Sequence, residues 1–279
     1  MDNIAMIFEP IGGLGNQFFQ IVALLVFSKK YKKKTVYDPH KLISKGYTNS
    51  PTYYDSIFSC LQQYKKKINN DYEVFNVKQF EFKNLQSSKS FTILNGMFMN
   101  VQYFWNDINY IQSILNPIQK ISPHYDIIKN FVDSNSNNIC VCIGFRRFTE
   151  EKREKDWALD LNYYKKAWSL LYHDIKDLNK KIVVLLISDN PIYVEQNINN
   201  IIDQSSNIEM IHIKGGRNGN DDVIQYYHMT HCSHFILCNS TFHLTACYLS
   251  TNLKQVIYPD SVTWFKHLIP KNDNRFIAC

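Results

Sequence analysis

A chain of 279 residues with 45% hydrophobic and 20% charged residues has room for one large or two modest domains, each with its own core. This length and composition exclude a disulfide-stapled miniprotein, a fibre and a disordered segment. The formal charge of +6 admits anionic small molecules as partners but lacks the strongly basic, aromatic-interleaved footprint of a nucleic-acid binder, so no nucleic-acid partner is expected. The longest unbroken apolar run, Ile21 to Phe27, is about a third of what a bilayer span requires. Met1-Asp2-Asn3-Ile4 lacks the basic flank and apolar stretch of a secretory leader, so the expected location is cytosolic. The seven cysteines, Cys60, Cys140, Cys142, Cys232, Cys238, Cys247 and Cys279, are odd in number and without framework spacing, which reads as reduced and mostly buried thiols. The abundance of Ile, Asn, Lys and Tyr suggests an AT-rich source, microbial or a large DNA virus.

The chain opens with an apolar run, Ile4 to Phe8, that stops at the turn Gly12-Gly13-Leu14-Gly15 and continues as a helix from Gln17 to Tyr31 and a strand, Thr35 to Tyr37. This strand-turn-helix-strand opening marks a doubly wound α/β domain. Periodicity is poor from Pro39 to Ser90; Phe91 to Leu94 reads as a strand and Tyr103 to Leu115 as a helix. The basic runs Lys29 to Lys34 and Lys65-Lys66-Lys67 read as solvated helix ends. The polar patch Asp133 to Asn138 places a domain boundary, giving an N-terminal domain over 1–134 and a C-terminal one over 139–279. Beyond it the pattern predicts strands Ile139 to Phe145, Ile182 to Ile187, Ile208 to Ile213, Phe235 to Cys238 and Gln255 to Tyr258. Helices Leu161 to His173, Asp222 to Cys232 and Phe242 to Leu249 alternate with them. Such alternation implies a second parallel sheet that binds its ligand at the carboxyl ends of its strands.

Three places offer polar groups for chemistry. Gly13 and Gly15, followed by Asn16 and Gln17, stand between a strand and a helix, where backbone amides hold anions and the two carboxamides suit sugar hydroxyls; a helix cap by Asn16 is the plainer reading. A nicotinamide-binding fingerprint is a further alternative, with Asp38 near the expected acid, although Phe18 stands where a third small residue is needed. Arg146 and Arg147 end a buried-looking strand and suit bidentate contact with phosphate, against a surface ion pair with Glu150, Glu151 or Asp156. Asn239, Ser240 and Thr241 occupy the same kind of place, strand end to helix start. His228, His231 and Cys232, with His234 and Cys238, share helical spacing that makes zinc conceivable, yet no closed ligand motif is present and no metal site is assigned.

In order along nearly the whole chain, these segments resemble the α-1,2-fucosyltransferases of glycosyltransferase family 11. The carriers are Gly12 to Gln20, Gly96-Met97-Phe98 with Tyr103-Phe104, Tyr163 to Ala167, Ser188-Asp189, the block from Asp222 to Leu249, Lys254 to Pro259, and Trp264-Phe265. The resemblance implies a GT-B-like fold of two Rossmann-type domains facing across a cleft. It implies inverting, metal-independent transfer of L-fucose from GDP-fucose to a glycan acceptor, with no cofactor beyond the nucleotide sugar. On that reading Arg146 and Arg147 offset the charge of the leaving diphosphate, and Asp222, Asn239, Ser240, Thr241 and Phe242 complete the donor side. Gly13, Gly15, Asn16 and Gln17 form the acceptor side. The family's His-x-Arg-Arg-x-Asp signature carries Gly144 and Thr149 in place of its His and Asp. That departure leaves another 6-deoxyhexose donor such as UDP-rhamnose, or an inactive sugar-binding scaffold, as alternatives. Glu9, Glu150 and Asp160 are the acids considered for a general base, with none singled out.

Overall fold

The computed structural model describes residues 3–6, 12–37, 53–64, 72–86, 91–115, 130–131, 133–149, 152–203, 205–213 and 220–279. The chain forms two compact units, Met1–Asn116 with Lys266–Pro270, and Pro117–Phe265 with Lys271–Cys279.

In the first unit, strands β1 (Asn3–Met6), β2 (Lys34–Tyr37), β3 (Glu73–Asn76) and β4 (Phe91–Asn95) make a parallel sheet in the order β2-β1-β4-β3. Helix α1 (Leu14–Lys30) connects β1 to β2, and only Asn16, Lys29 and Lys30 of its 17 residues are not buried. An apolar helix covered all round serves as the core of its unit. Its start lies three residues ahead of the expected Gln17. Gly13 is the N-cap and no side chain caps the turn, so Asn16 does not play that role. Instead Asn16 lies over Gly12, whose φ is +84° and where an added Cβ would sit 2.4 Å from the Asn16 amide nitrogen. Gly12→Ala should therefore cost about 1–3 kcal/mol of stability, read from the denaturation midpoint. The basic residues Lys29 and Lys30 fall in the last turn of α1, favourable to its dipole, and Lys29 pairs with Asp107 at 2.6 Å. The run at Lys65 to Lys67 lies outside the described residues, as do Glu9, Asp38, Glu150 and Glu151.

The helix expected over 103–115 is broken into two 3-10 turns (Val101–Tyr103 and Trp105–Asp107) followed by a short α2 (Ile108–Ile114). Phe104 explains the interruption. It takes a non-helical φ of −140° and buries its ring between Phe18 and Phe19, at 6.0 and 5.9 Å. Burial of an aromatic here outweighs the few hydrogen bonds a continuous helix would add.

The second unit carries β5 (Ile139–Phe145), β6 (Ile182–Ser188), β7 (Ile208–His212), β8 (His234–Ile236), β9 (Gln255–Tyr258) and β10 (Phe276–Ala278), all parallel, in the order β10-β9-β8-β5-β6-β7. Counted from β5, this is the order of the doubly wound nucleotide-binding fold. Every residue of β5 and β6 is buried, as the continuous apolar runs require of central strands covered on both faces. Helices α3 (Glu154–Trp157), α4 (Leu161–Ile175), α5 (Pro191–Asn197), α6 (Asn220–Thr230) and α7 (Thr241–Leu249) join them. Tyr164, Ala167, Trp168, Leu171 and Ile175 put one face of α4 on the sheet core, and Asp160 caps it by accepting the Tyr163 N–H at 3.0 Å. Asp160 thus has a structural task.

The polar patch at 133–138 is not where the units divide. It closes a helical stretch of the second unit: the Asn135 side chain donates to the Phe131 carbonyl, Asn138 donates to Asn135, and Phe131 packs edge-on against His228 at 5.0 Å. The division falls between Asn116 and Pro117, and the short piece Lys266–Pro270 belongs to the first unit. Among the described residues no helix is long and apolar enough to cross a membrane.

Candidate functional site

The strand order of the second sheet reverses between β5 and β8, and ligands of such sheets bind beyond the carboxyl ends of the two strands that flank this point. The loop after β5 begins with Arg146 and Arg147; the loop after β8 runs through Cys238 to the start of α7.

Asp189, at the end of β6, organises the first loop. It accepts the Arg146 Nη1 at 2.5 Å, the Arg147 backbone N–H at 2.7 Å and the Phe148 backbone N–H at 3.0 Å. The Arg146 and Asp189 side chains are only 11% and 12% exposed, so the pair is close to fully desolvated. These bonds hold Phe148 at a φ of +58°, a conformation that would not persist unaided. Arg146 thus pairs with an acid at the end of the neighbouring strand, a partner not among those expected; Glu150 and Glu151 lie outside the described residues. Arg147 turns elsewhere: its Nη1 donates to the Leu159 carbonyl at 3.1 Å and its guanidinium lies 4.0 Å from the centre of the Tyr193 ring. The two arginines have separate surroundings, Arg146 at the switch point and Arg147 packed toward α4 and α5. Arg147→Ala should show itself first as a loss of about 1–3 kcal/mol in stability, seen in chemical denaturation, from a lost charge-assisted hydrogen bond and ring contact.

In the second loop Ser240 is the N-cap of the nine-residue helix α7 but its own side chain makes no capping bond to the first-turn amides. Asn239 is committed at both ends of its amide, donating to the Trp157 carbonyl at 3.1 Å and accepting the Trp264 indole N–H at 2.9 Å. It shapes the loop. Phe242 leans on Tyr226 of α6 at 5.4 Å, which sets α6 beside α7 and leaves Asp222 one turn ahead on α6.

His243, in the first turn of α7, joins the two loops. It is 4% exposed, its Nδ1 lies 3.3 Å from the Cys238 Sγ, and its ring fills the space where residue 144 would carry a side chain: a Cβ added to Gly144 would stand 2.4 Å from the imidazole Cδ2. The glycine and the histidine are one packing unit. Gly144→Ala alone should cost about 1–3 kcal/mol through overpacking, and adding His243→Ala should remove most of that clash, as a double-mutant cycle in denaturant reads directly.

Burial, with the Arg146 charge, pushes the His243 pKa down to about 3, and burial takes His231 and His234 down to about 4. Folded histidines with lowered pKa bind fewer protons than the unfolded chain. Stability is therefore complete above about pH 6.5 and falls on acidification, by about 1.4 kcal/mol per pH unit for each such group. Denaturation midpoints should drop between pH 7 and pH 5, and His243→Asn should reduce that slope.

Of the remaining expected residues, Gly13 is exposed, Gly15 is buried inside α1 and Asn16 is half-buried. Gln17 is fully buried and donates its Nε2 to the Gly12 carbonyl at 3.0 Å, so it holds the turn rather than presenting its amide. The His and Cys group has local partners: His228 Nδ1 meets the Ile224 carbonyl at 2.8 Å and His234 Nδ1 meets Ser233 Oγ at 2.8 Å. Among the described residues no three His, Cys, Asp or Glu side chains are arranged to hold a metal ion.

The sequence reading gave no role to Asp189, His243 and Glu154. Asp189 carried a signal, an acid at a strand end before Asn190-Pro191, a helix start. Glu154 accepts the Thr149 hydroxyl at 2.6 Å. An imidazole and a carboxylate thus stand beside positions 144 and 149, supplied by residues remote from the arginine motif in sequence or one turn beyond it.

No family model matches the chain, and no curated protein matches it in sequence. Solved structures match it in fold. The fucosyltransferase NodZ from Bradyrhizobium is 12% identical with a TM-score of 0.61, over 94% of this chain and 97% of that one. The NodZ α-1,6-fucosyltransferase soaked with GDP-fucose gives 12% and 0.60 over the same shares. POFUT1 in complex with GDP-fucose gives 11% and 0.52, over 92% of this chain and 97% of the other. The chain has a fucosyltransferase-like α/β fold. At such identity the likeness is one of fold, and function rests on the site.

Proposed function

We propose that the chain is a glycosyltransferase that moves L-fucose from GDP-fucose to a hydroxyl of a glycan, with inversion and without a metal ion, making an α-1,2 linkage. The observation that carries this reading is that the Arg146–Asp189 pair and the start of α7 both stand at the switch point of a parallel sheet. A fold shared with proteins that hold GDP-fucose supports it.

Glycosyl transfer passes through an oxocarbenium-like state while the departing diphosphate gains negative charge. Arg146 and the first-turn amides of α7, at Thr241 and Phe242, offset that charge. Donors fixed before the reaction stabilise it without reorganising, which is worth several kcal/mol in other enzymes. Asp189 keeps Arg146 in place through Oδ2 and fixes the loop by accepting the Arg147 and Phe148 backbone N–H groups. Asp222, near the start of α6, accepts from the nucleoside. His243 and Glu154 put an imidazole and a carboxylate beside positions 144 and 149, and the fold shared with proteins that hold GDP-fucose favours that donor over UDP-rhamnose. Calorimetric titration with GDP and UDP in parallel tests the donor: tighter GDP binding is expected, and preference for UDP or no binding of either overturns the reading. Turnover of GDP-fucose should persist in excess EDTA; loss of activity restored by Mn²⁺ would refute the metal-independent chemistry.

A further inference from the structure

Trp157 is 42% exposed, and it is the one large aromatic side chain of the second unit that stands in solvent among the described residues; Trp168, by contrast, is 5% exposed in the core. Exposed does not mean loose here. The Trp157 carbonyl accepts the Asn239 amide at 3.1 Å, the Phe148 ring meets its indole at 84° with centroids 5.3 Å apart, and the Arg153 guanidinium lies 4.2 Å from the ring centre. Phe148 is itself held from the other side by Arg146, 4.7 Å from its ring centre, and by its backbone bond to Asp189. The result is a fixed row of side chains, Arg146, Phe148, Trp157 and Arg153, beyond the carboxyl ends of β5 and β8.

Resting on the nucleotide-sugar reading above, we infer that Trp157 is the platform on which the planar base of the nucleotide donor stacks. Two features favour a base over the face of an acceptor sugar. Arginines at both ends of the row suit a ligand that carries phosphate, whereas a neutral pyranose gains nothing from them. The placement agrees: the Asn239 side chain ties the Trp157 backbone carbonyl to the turn that starts α7, the helix end assigned to the diphosphate. Every base offers a π face, so the indole supplies affinity and leaves the choice of base to polar groups.

The test is calorimetry of the wild type, Trp157→Ala and Trp157→Phe with GDP and with inorganic pyrophosphate, which has no base. Trp157→Ala should weaken GDP binding by about tenfold and leave pyrophosphate binding unchanged. Trp157→Phe should keep most of the GDP affinity while losing most of the GDP-induced quenching of tryptophan fluorescence expected of the wild type. This second variant keeps a ring in place and does not depend on tolerance of the alanine. The inference is overturned if Trp157→Ala binds GDP as the wild type does, if it loses GDP and pyrophosphate alike, or if Trp157→Phe is quenched as fully as the wild type. A wild type that binds no GDP overturns the nucleotide-sugar reading itself, which separates the two failures.

Discussion

Asp189→Ala should be the most damaging single change in the second unit, lowering stability by about 3–5 kcal/mol and abolishing transfer with it. The reason is the number of groups that converge on this carboxylate. Its loss takes the Asp189 carboxylate from the Arg146 guanidinium, which is nearly out of water, and leaves two backbone N–H groups without this acceptor. Breaking a desolvated pair on one side leaves an uncompensated charge, a larger cost than the pair contributes when whole. Asp189→Asn keeps an oxygen for one of the two backbone donors and should recover part of the stability but little of the activity, because it cannot orient Arg146 as a carboxylate does. Chemical denaturation and initial rates on the two variants separate these effects.

Arg146→Ala should lower turnover by about a hundredfold or more, with a far smaller change in stability than Asp189→Ala. Without the guanidinium, Asp189 still receives the two backbone N–H groups. On the proposed reading the departing diphosphate, however, loses the guanidinium at the end of β5, since Arg147 is turned toward Leu159 and Tyr193. The contrast between neighbours is therefore the informative result. Arg146→Ala lowers rate and Arg147→Ala lowers stability; equal loss of rate in both would mean that Arg147 also reaches the substrate.

Much of this fold could be read from the residues because burial is written into them. Ile139 to Phe145 and the strand from Ile182 are unbroken apolar runs, and the structure places both at the centre of a parallel sheet, the former with the same ends and the latter one residue longer at Ser188. Where tertiary contacts compete with local preference, the residues gave less guidance. Phe104 breaks an expected helix to reach the core, Glu73–Asn76 forms a strand inside a stretch without clear alternation, and Asp133 to Asn138 looks like a linker yet closes a helix. The candidate site divides in the same way. Arg146 and the Asn239-Ser240-Thr241 turn were legible as strand-end residues ahead of helices. Their partners Asp189, His243 and Trp157 are distant in sequence from at least one of the groups they hold, and only the strand order brings them together. Gly144 appeared as a missing histidine; in the folded chain it is the space that His243 occupies.

The central claim is that the diphosphate of a nucleotide sugar sits between Arg146 and the first turn of α7. A crystal structure with GDP bound tests it most directly. The account predicts phosphate oxygens within hydrogen-bonding distance of the Arg146 guanidinium and of backbone amides in the Ser240 to Phe242 turn; a nucleotide seated away from both the β5 and β8 ends would contradict it.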